Sequence, residues 1–355
     1  MTLELRGVVK RVGAETHIHE TDLVLAENGF NILLGTTLAG KTTLMQLMAG
    51  LERPSAGEVW FDGRNVTGLP VQKRNVAMVY QQFINYPNLS VFENIASPLR
   101  VAGLKRAEID TRVRRMAELL RLTPMLGRRP AELSGGQQQR TALARALVKD
   151  AALVLLDEPL ANLDFKLREE LRDELPRLFA GRRCTVVFAT SDPTEALLLG
   201  GHTAALHEGR ITQFGPTASV YRRPANLATA QVFSNPPINT APVTKRGDRI
   251  LLGDGVQWPA SAVMRDRPDG LYTVAIRPHH IRPEADGPAA APLDGKVLIA
   301  ELSGSESVIH FSHGPLTWVS QSHGVRAIEV GATARFNLDV DQCMYFGADG
   351  TLVAP

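Results

Sequence analysis

The stretch Gly35-Thr36-Thr37-Leu38-Ala39-Gly40-Lys41-Thr42, followed by Thr43, fits the pattern GxxxxGK[ST]. Residues of these types at this spacing can do one piece of chemistry well. Successive backbone N–H groups at the positive end of a helix form a nest for an anion. Lys41 then brings a point charge to the β- and γ-phosphates of a nucleotide, and the Thr42 hydroxyl is suited to ligate Mg²⁺. An ordinary glycine-rich turn could spell the same string. The pattern therefore needs a strand before it and a helix after it.

Two further constellations fit the same chemistry. Leu153-Val154-Leu155-Leu156 is an apolar run that ends in Asp157-Glu158-Pro159, so a buried strand would deliver Asp157 to the sheet edge where open α/β sheets bind ligands. Asp157 could hold Mg²⁺ through water, and Glu158 is a candidate general base for an attacking water. Taken alone, an acidic pair after a strand is usually a solvated strand end. Leu133-Ser134-Gly135-Gly136-Gln137 precedes an Ala/Leu-rich helix running through Leu147. Ser134, Gly135, Gly136 and Gln137 thus sit at a helix N-terminus, a second place suited to phosphate. As a lone string this too would be a flexible turn or a cap.

The elements required to position these groups are legible around them. Phe30–Leu34 reads as a buried strand and Lys41–Gly50 as a helix with Leu44, Leu47 and Met48 on one face and Gly50 as its stop. Thr2–Val9 alternates like a half-buried strand, and Gly57–Gly63 is a short strand bounded by glycines. Between 17–26 and 30–34, Glu27-Asn28-Gly29 predicts a tight hairpin turn, because Asn-Gly favours positive φ. Residues 90–149 read as helical and charged, an insertion into an α/β core whose strands return at Leu153–Leu156 and Thr185–Ala189, on either side of a helix at 165–179. Beyond Asn235-Pro236-Pro237 the composition shifts to short β-rich runs (250–252, 272–276, 296–301, 307–311 and 334–338) between Gly and Pro turns, which predicts a small sandwich or barrel. Two domains are expected, 1–235 and 236–355, with a helical subdomain at about 88–150.

Composition narrows the function classes. The 355 residues are 44% hydrophobic and 21% charged, values typical of globular proteins, so disorder over most of the length is not expected. Lys plus Arg number 39 against 37 for Asp plus Glu, a net charge of +2, which gives no electrostatic case for nucleic acid or a polybasic membrane contact. Cys184 and Cys343 are too few for a disulfide framework, so a reducing compartment fits. No apolar run is long enough to cross a bilayer, and the N-terminus lacks the apolar core of a signal peptide.

Taken in order, the loop at Gly35, the LSGGQ string and the LVLLDEP run make the chain resemble the ATP-binding subunits of ABC transporters. The resemblance covers about residues 1–235. It implies a P-loop ABC ATPase core of the α/β class with an inserted helical subdomain, binding ATP and Mg²⁺, in which the LSGGQ of one subunit closes over the ATP held by the other. It makes Gln81, in Val79-Tyr80-Gln81, a catalytic and metal-site glutamine, and matches Leu160-Ala161-Asn162-Leu163-Asp164 to the loop after the acidic pair. Residues 86–95, Tyr86-Pro87-Asn88-Leu89-Ser90-Val91-Phe92-Glu93-Asn94-Ile95, look like the surface that docks a membrane subunit. The last third, with Ala275-Ile276-Arg277-Pro278-His279-His280, is similar to the OB-like accessory β-domain of maltose and glycerol-phosphate importers. The tandem His279-His280 reads as a solvated loop rather than a metal site. Membrane-spanning permease subunits, and a solute-binding protein indirectly, are then the expected partners, at the cytoplasmic face of the plasma membrane.

The sequence departs from the family pattern around one nucleotide. Val12 stands where an aromatic usually stacks on adenine, Leu38 where the loop usually has glycine, and Ser191 where a histidine faces the γ-phosphate; Ala161 replaces a commoner serine. Leu38 can follow the loop if its φ stays negative. Serine can hydrogen-bond but offers no imidazole. Hence the expectation of a subunit paired with a second, non-identical ATPase; the resemblance to maltose and glycerol-phosphate importers implies a sugar, polyol or glycerol-like solute. The alternatives are a homodimeric ATPase working at both sites and a nucleotide-binding subunit that does not hydrolyse. A soluble ABC protein acting on ribosomes or DNA fits poorly, with one cassette, no heptad run and no basic arm.

Overall fold

The alternating run at the start forms β1 (Leu3–Val12), which turns back through Gly13 and Ala14 into β2 (Glu15–Val24). The chain then forms β3 (Phe30–Gly35) and α1 (Lys41–Ala49), followed by β4 (Ala56–Phe61), β5 (Arg64–Asn65) and β6 (Val76–Val79). The computed structural model describes every residue except Met1, Phe83, Asn162, Arg182, Asp254 and 284–289. Asn162, part of the stretch matched to the loop after the acidic pair, lies outside the described residues.

The hairpin expected at Glu27-Asn28-Gly29 is not formed. β2 pairs with β1 in an antiparallel sheet of order β2-β1-β4-β5, whereas β3 runs in a different sheet. Asn28 does take a positive φ of 50°, but its turn hands the chain from one sheet to the other. The local Asn-Gly signal was overridden by burial, since every residue of β3 is buried and such a run suits the middle of a parallel sheet. The buried Asn31 amide fixes the crossing, accepting from Ala26 N at 2.8 Å and donating to Ala26 O at 3.0 Å.

A helical block of α2 (Val91–Val101), α3 (Arg106–Leu119) and α4 (Gly135–Leu147) separates β6 from its neighbour β7 (Leu153–Asp157). Then come α5 (Phe165–Phe179), β8 (Thr185–Thr190), α6 (Pro193–Leu199), β9 (His202–His207) and β10 (Arg210–Pro216). The main sheet has the order β10-β9-β3-β8-β7-β6, parallel except at β10. Leu33, Leu155, Val187 and Leu206 from its strands meet Leu44, Met45 and Met48 of α1 in one core with Leu5 and Val59 of the smaller sheet. Burying one such side chain contributes about 1.5–3 kcal/mol. This packing fixes where β3 and β7 end.

Helix α7 (Thr217–Arg222) carries the chain from a first compact unit, Met1–Ala218, into a second, Ser219–Pro355. The division falls earlier than the composition shift near Asn235. Its cause is α8 (Leu227–Val232), whose Leu227 and Ala230 pack with Ile238, Ala275, Met344 and Phe346 of the second unit.

Apart from a short helix at Ala262–Arg265 capped by Ser261, the rest of the second unit is mainly β among the described residues. Its first sheet, of order β13-β12-β11-β14-β20-β21, comprises β11 (Asn239–Arg246), β12 (Arg249–Leu252), β13 (Val256–Pro259), β14 (Gly270–Ile276), β20 (Met344–Phe346) and β21 (Leu352–Ala354). Its second, of order β15-β19-β16-β17-β18, comprises β15 (Ile281–Arg282), β16 (Ala290–Leu302), β17 (Glu306–His313), β18 (Leu316–His323) and β19 (Thr333–Asp339). One core fills the space between them, including Trp258, Val274, Phe311, Trp318, Phe336 and Tyr345. The result is the small barrel-like domain that the β-rich runs predict, and it agrees with the OB-like unit that the resemblance implies.

Candidate nucleotide site

The loop leaves β3 at Gly35 and enters α1 at Lys41. Two glycines let it do so. A Cβ on Gly35 would stand 2.7 Å from Leu206 O, and Gly40 has φ 102° with Ile18 in the way of any side chain. Within the loop, Ala39 N donates to Thr36 O at 3.1 Å, closing a tight turn with Leu38 at its third position. Leu38 has φ 68°, so the condition under which leucine follows the loop comfortably is not met. Its side chain is 96% exposed.

Lys41 is only 6% exposed. Its ammonium donates to Gly35 O at 2.8 Å and Thr36 O at 3.0 Å, and lies 3.3 Å from Glu158 Oε1. Thr42 Oγ1 donates to Asp157 Oδ2 at 2.7 Å. The loop on β3 and the acidic pair on β7 thus meet across β8, which lies between those strands.

Asp157 is 1% exposed, and its Oδ1 is buried with no hydrogen-bond partner among the described residues. Burial pushes the carboxyl above its ordinary value, the Thr42 hydrogen bond pulls it down, Glu158 pushes it up and Lys41 pulls it down. A buried carboxylate oxygen without a donor, beside a hydroxyl, is a hard-oxygen set suited to a divalent cation of the Mg²⁺ type. The residues fit that ion.

Glu158 follows β7 with φ 45°, a conformation that costs a non-glycine residue and concentrates at functional sites. It is held by its N–H to Ala189 O at 3.0 Å. Gln81, two residues beyond β6, donates through Nε2 to Glu158 Oε2 at 3.3 Å. Lys41, Thr42, Gln81, Asp157 and Glu158 therefore form one connected cluster. Ser191 follows the last residue of β8 and is exposed. The backbone there is pinned from behind: the Thr190 hydroxyl donates to Glu195 at 2.5 Å, and Arg168 bridges Glu195 at 2.8 Å and Asp192 at 2.7 Å. Val12, 51% exposed, ends β1 opposite Glu15.

Ser134 caps α4. Its hydroxyl accepts from Gln137 N, while Gln137 Oε1 accepts from Ser134 N at 3.0 Å. This box pre-forms the helix N-terminus at Gly135 and Gly136. From the same helix Gln139 reaches Pro159 O at 2.7 Å, and Asn85 donates to Gln138 O at 2.8 Å. Three organising residues have no role of their own assigned from the sequence, although Asn94 lies within the 86–95 stretch. Asn94, fully buried, donates to Tyr86 O, Leu89 O and Ser90 O and accepts from Tyr86 N at 2.8 Å. Arg145 stacks 4.8 Å from the Tyr86 ring and donates to Ile84 O. Neither side chain, nor Asn85, belongs to a spacing pattern that would single it out.

In the second unit, His279 and His280 stand on a short turn with rings 4.2 Å apart. His280 is not simply solvated: its Nδ1 is buried without a partner among the described residues, and burial, then His279, hold its pKa down to about 4. Arg277 beside them is buried.

A family profile described as "ABC transporter" matches residues 18–161, and one described as "TOBE domain" matches 274–346. The sn-glycerol-3-phosphate import ATP-binding protein UgpC of Salmonella typhi is 37% identical over 87% of this chain and 87% of its own length. The protein of that name from Chromohalobacter salexigens is 37% identical over 99% of this chain and 96% of its own. Among solved structures, a dimeric post-hydrolysis state of the ATP-binding cassette MJ0796 bound to ADP and Pi superposes with a TM-score of 0.56 at 28% identity. It covers 61% of this chain and 98% of that one.

Proposed function

This chain belongs to the ATP-binding subunits of ABC importers, enzymes that couple ATP hydrolysis to solute import, and from that premise we propose that it powers uptake of a sugar, polyol or glycerol-like solute beside a second, non-identical ATPase. The printed name of the relatives, sn-glycerol-3-phosphate import ATP-binding protein, supports the solute class. Among the described residues no helix is long and apolar enough to cross a membrane. The subunit is read as peripheral, on the cytoplasmic face, docked to permease subunits through the 86–95 surface that Asn94 and Arg145 organise.

The roles follow from the cluster. The amides of 36–42 cradle phosphate oxygens, which replace Gly35 O, Thr36 O and Glu158 as partners of the Lys41 ammonium. Thr42, Asp157 and Gln81 are the residues that would hold Mg²⁺, which when bound neutralises charge on the β- and γ-phosphates. Glu158, freed from Lys41, is the base for the attacking water, kept in orientation by Gln81. Ser191 supplies a hydroxyl only, so the attacking water loses one support, and Val12 gives adenine an aliphatic surface without a π-face.

One observation carries the asymmetric reading. The departures at Val12, Leu38 and Ser191 all surround this chain's own nucleotide, whereas the Ser134–Gln137 cap offered to a partner's nucleotide is complete. In a heterodimer one fully equipped site remains; in a homodimer neither site has the imidazole. Purification of the tagged full chain with its membrane partners, followed by mass spectrometry of the intact complex, tests this. A second ATP-binding chain at one copy each is expected, and two copies of this chain in an active complex would sink the reading.

A further inference from the structure

The turn at the tip of the phosphate loop asks for a residue it does not have. Ala39 N donates to Thr36 O, and of the two central residues Leu38 alone has positive φ, at 68°, Thr37 having none. That is the pattern of a type II turn, whose third position takes glycine or asparagine because any other side chain crowds its own carbonyl. Leucine there costs free energy at every moment the turn is formed.

Such strain persists where surrounding contacts over-determine it. The Leu38 side chain supplies none of these contacts itself: it is 96% exposed, so no packing of its own offsets the backbone. Its neighbours are fixed independently of it. Ala39 is buried and accepts from Gly209 N at 3.0 Å, and Lys41 ties Gly35 O and Thr36 O. The strain is concentrated at one residue of an otherwise anchored loop.

We propose that Leu38 is a positioning residue that sets the nucleotide affinity of this chain's own site, by making the phosphate-binding turn costly to hold until phosphate oxygens engage its amides. Part of each binding event is spent re-forming the left-handed turn, and the apparent affinity falls by the fraction of time the turn is formed. The inference rests on Gly35–Thr42 being the nucleotide cradle, not on the asymmetric pairing.

The test is calorimetric titration of the full chain with ATPγS and Mg²⁺, in wild type, Leu38→Gly, Leu38→Asn and Leu38→Ala, with Lys41→Ala as the control for the cradle. Glycine should tighten binding by about three- to tenfold, the relief of the left-handed turn less glycine's own loss of freedom. Asparagine, which tolerates this region, should recover part of that gain, and alanine, which removes the leucine side chain but keeps the strain, should recover none. Alanine matching glycine would overturn the proposal in favour of simple bulk. So would a glycine variant that melts higher with unchanged affinity, since the strain would then be present before and after binding alike. Binding that survives Lys41→Ala, or is absent in every folded form, would instead overturn the cradle assignment, and the proposal with it.

Discussion

Lys41 Nζ lies 3.3 Å from Glu158 Oε1, so the residue that opens α1 and the residue that follows β7 share one ion pair across the width of a strand. If Lys41 binds phosphate as proposed, phosphate and Glu158 compete for the same ammonium. Substituting Lys41 by methionine keeps the bulk of the stem and removes the charge. It should weaken MgATP binding at least about a hundredfold, the scale of a lost charge-assisted contact in a largely buried site. Titration calorimetry on the full chain checks this, and binding within a few-fold of wild type would contradict the placement of Lys41.

Asp157 gives a pH signature. Burial raises its carboxyl above the ordinary value of 3.8, so the folded chain binds that proton more tightly than the unfolded chain. Its contribution to stability is then greatest below 3.8 and declines as pH climbs through the raised value. Asp157→Asn abolishes the cost of the buried charge. Without nucleotide the variant should melt about 1–3 °C higher than wild type at pH 7, a margin that closes as pH falls. With MgATP the order should reverse, because asparagine is a poorer cation ligand. Melting curves between pH 4 and 8 decide it, and a margin independent of pH would contradict the assignment.

Arg277 tests the accessory unit. It is buried, donates to Phe233 O at 3.1 Å and Tyr221 O at 2.9 Å, and lies 3.9 Å from the Tyr221 ring. Alanine would strand two carbonyls and should cost about 2–4 kcal/mol. Lysine should not restore it, lacking the planar fork. Urea unfolding followed through Trp258 and Trp318, both within that unit's core, reads the loss. A change below about 0.5 kcal/mol would show the arginine to be ornamental.

How much of this was legible in the residues follows from what each signal measures. The loop, Asp157 and Glu158 could be read because they depend on local spacing and on apolar runs that must be buried. The hairpin at Asn28 could not, since a turn signal says nothing about which strand lies alongside; that was decided by the burial of all of β3. The φ of Leu38 depends on Thr36 and Ala39 closing a turn, a fact of geometry that leucine itself argues against. The unit division escaped composition because α8 carries ordinary helical residues yet packs on strands far along the chain. Gln81 and Glu158 lie 77 positions apart and were linked beforehand only by family resemblance.

The central claim, that this chain's own site contributes little to turnover while its signature serves a partner, rests on two single substitutions compared in one assay. Gly136→Asp puts a carboxylate and its charge at the start of α4, beside the Ser134 cap, where a partner's phosphates would close. Glu158→Gln removes the base from this chain's own site and leaves its shape intact. Both are introduced into the complete transporter, and the solute-stimulated ATPase rate is measured in proteoliposomes. The expected result is loss of nearly all activity, about a hundredfold or more, with Gly136→Asp, and retention of at least about half with Glu158→Gln. The opposite ranking, or equal loss from both, would contradict it.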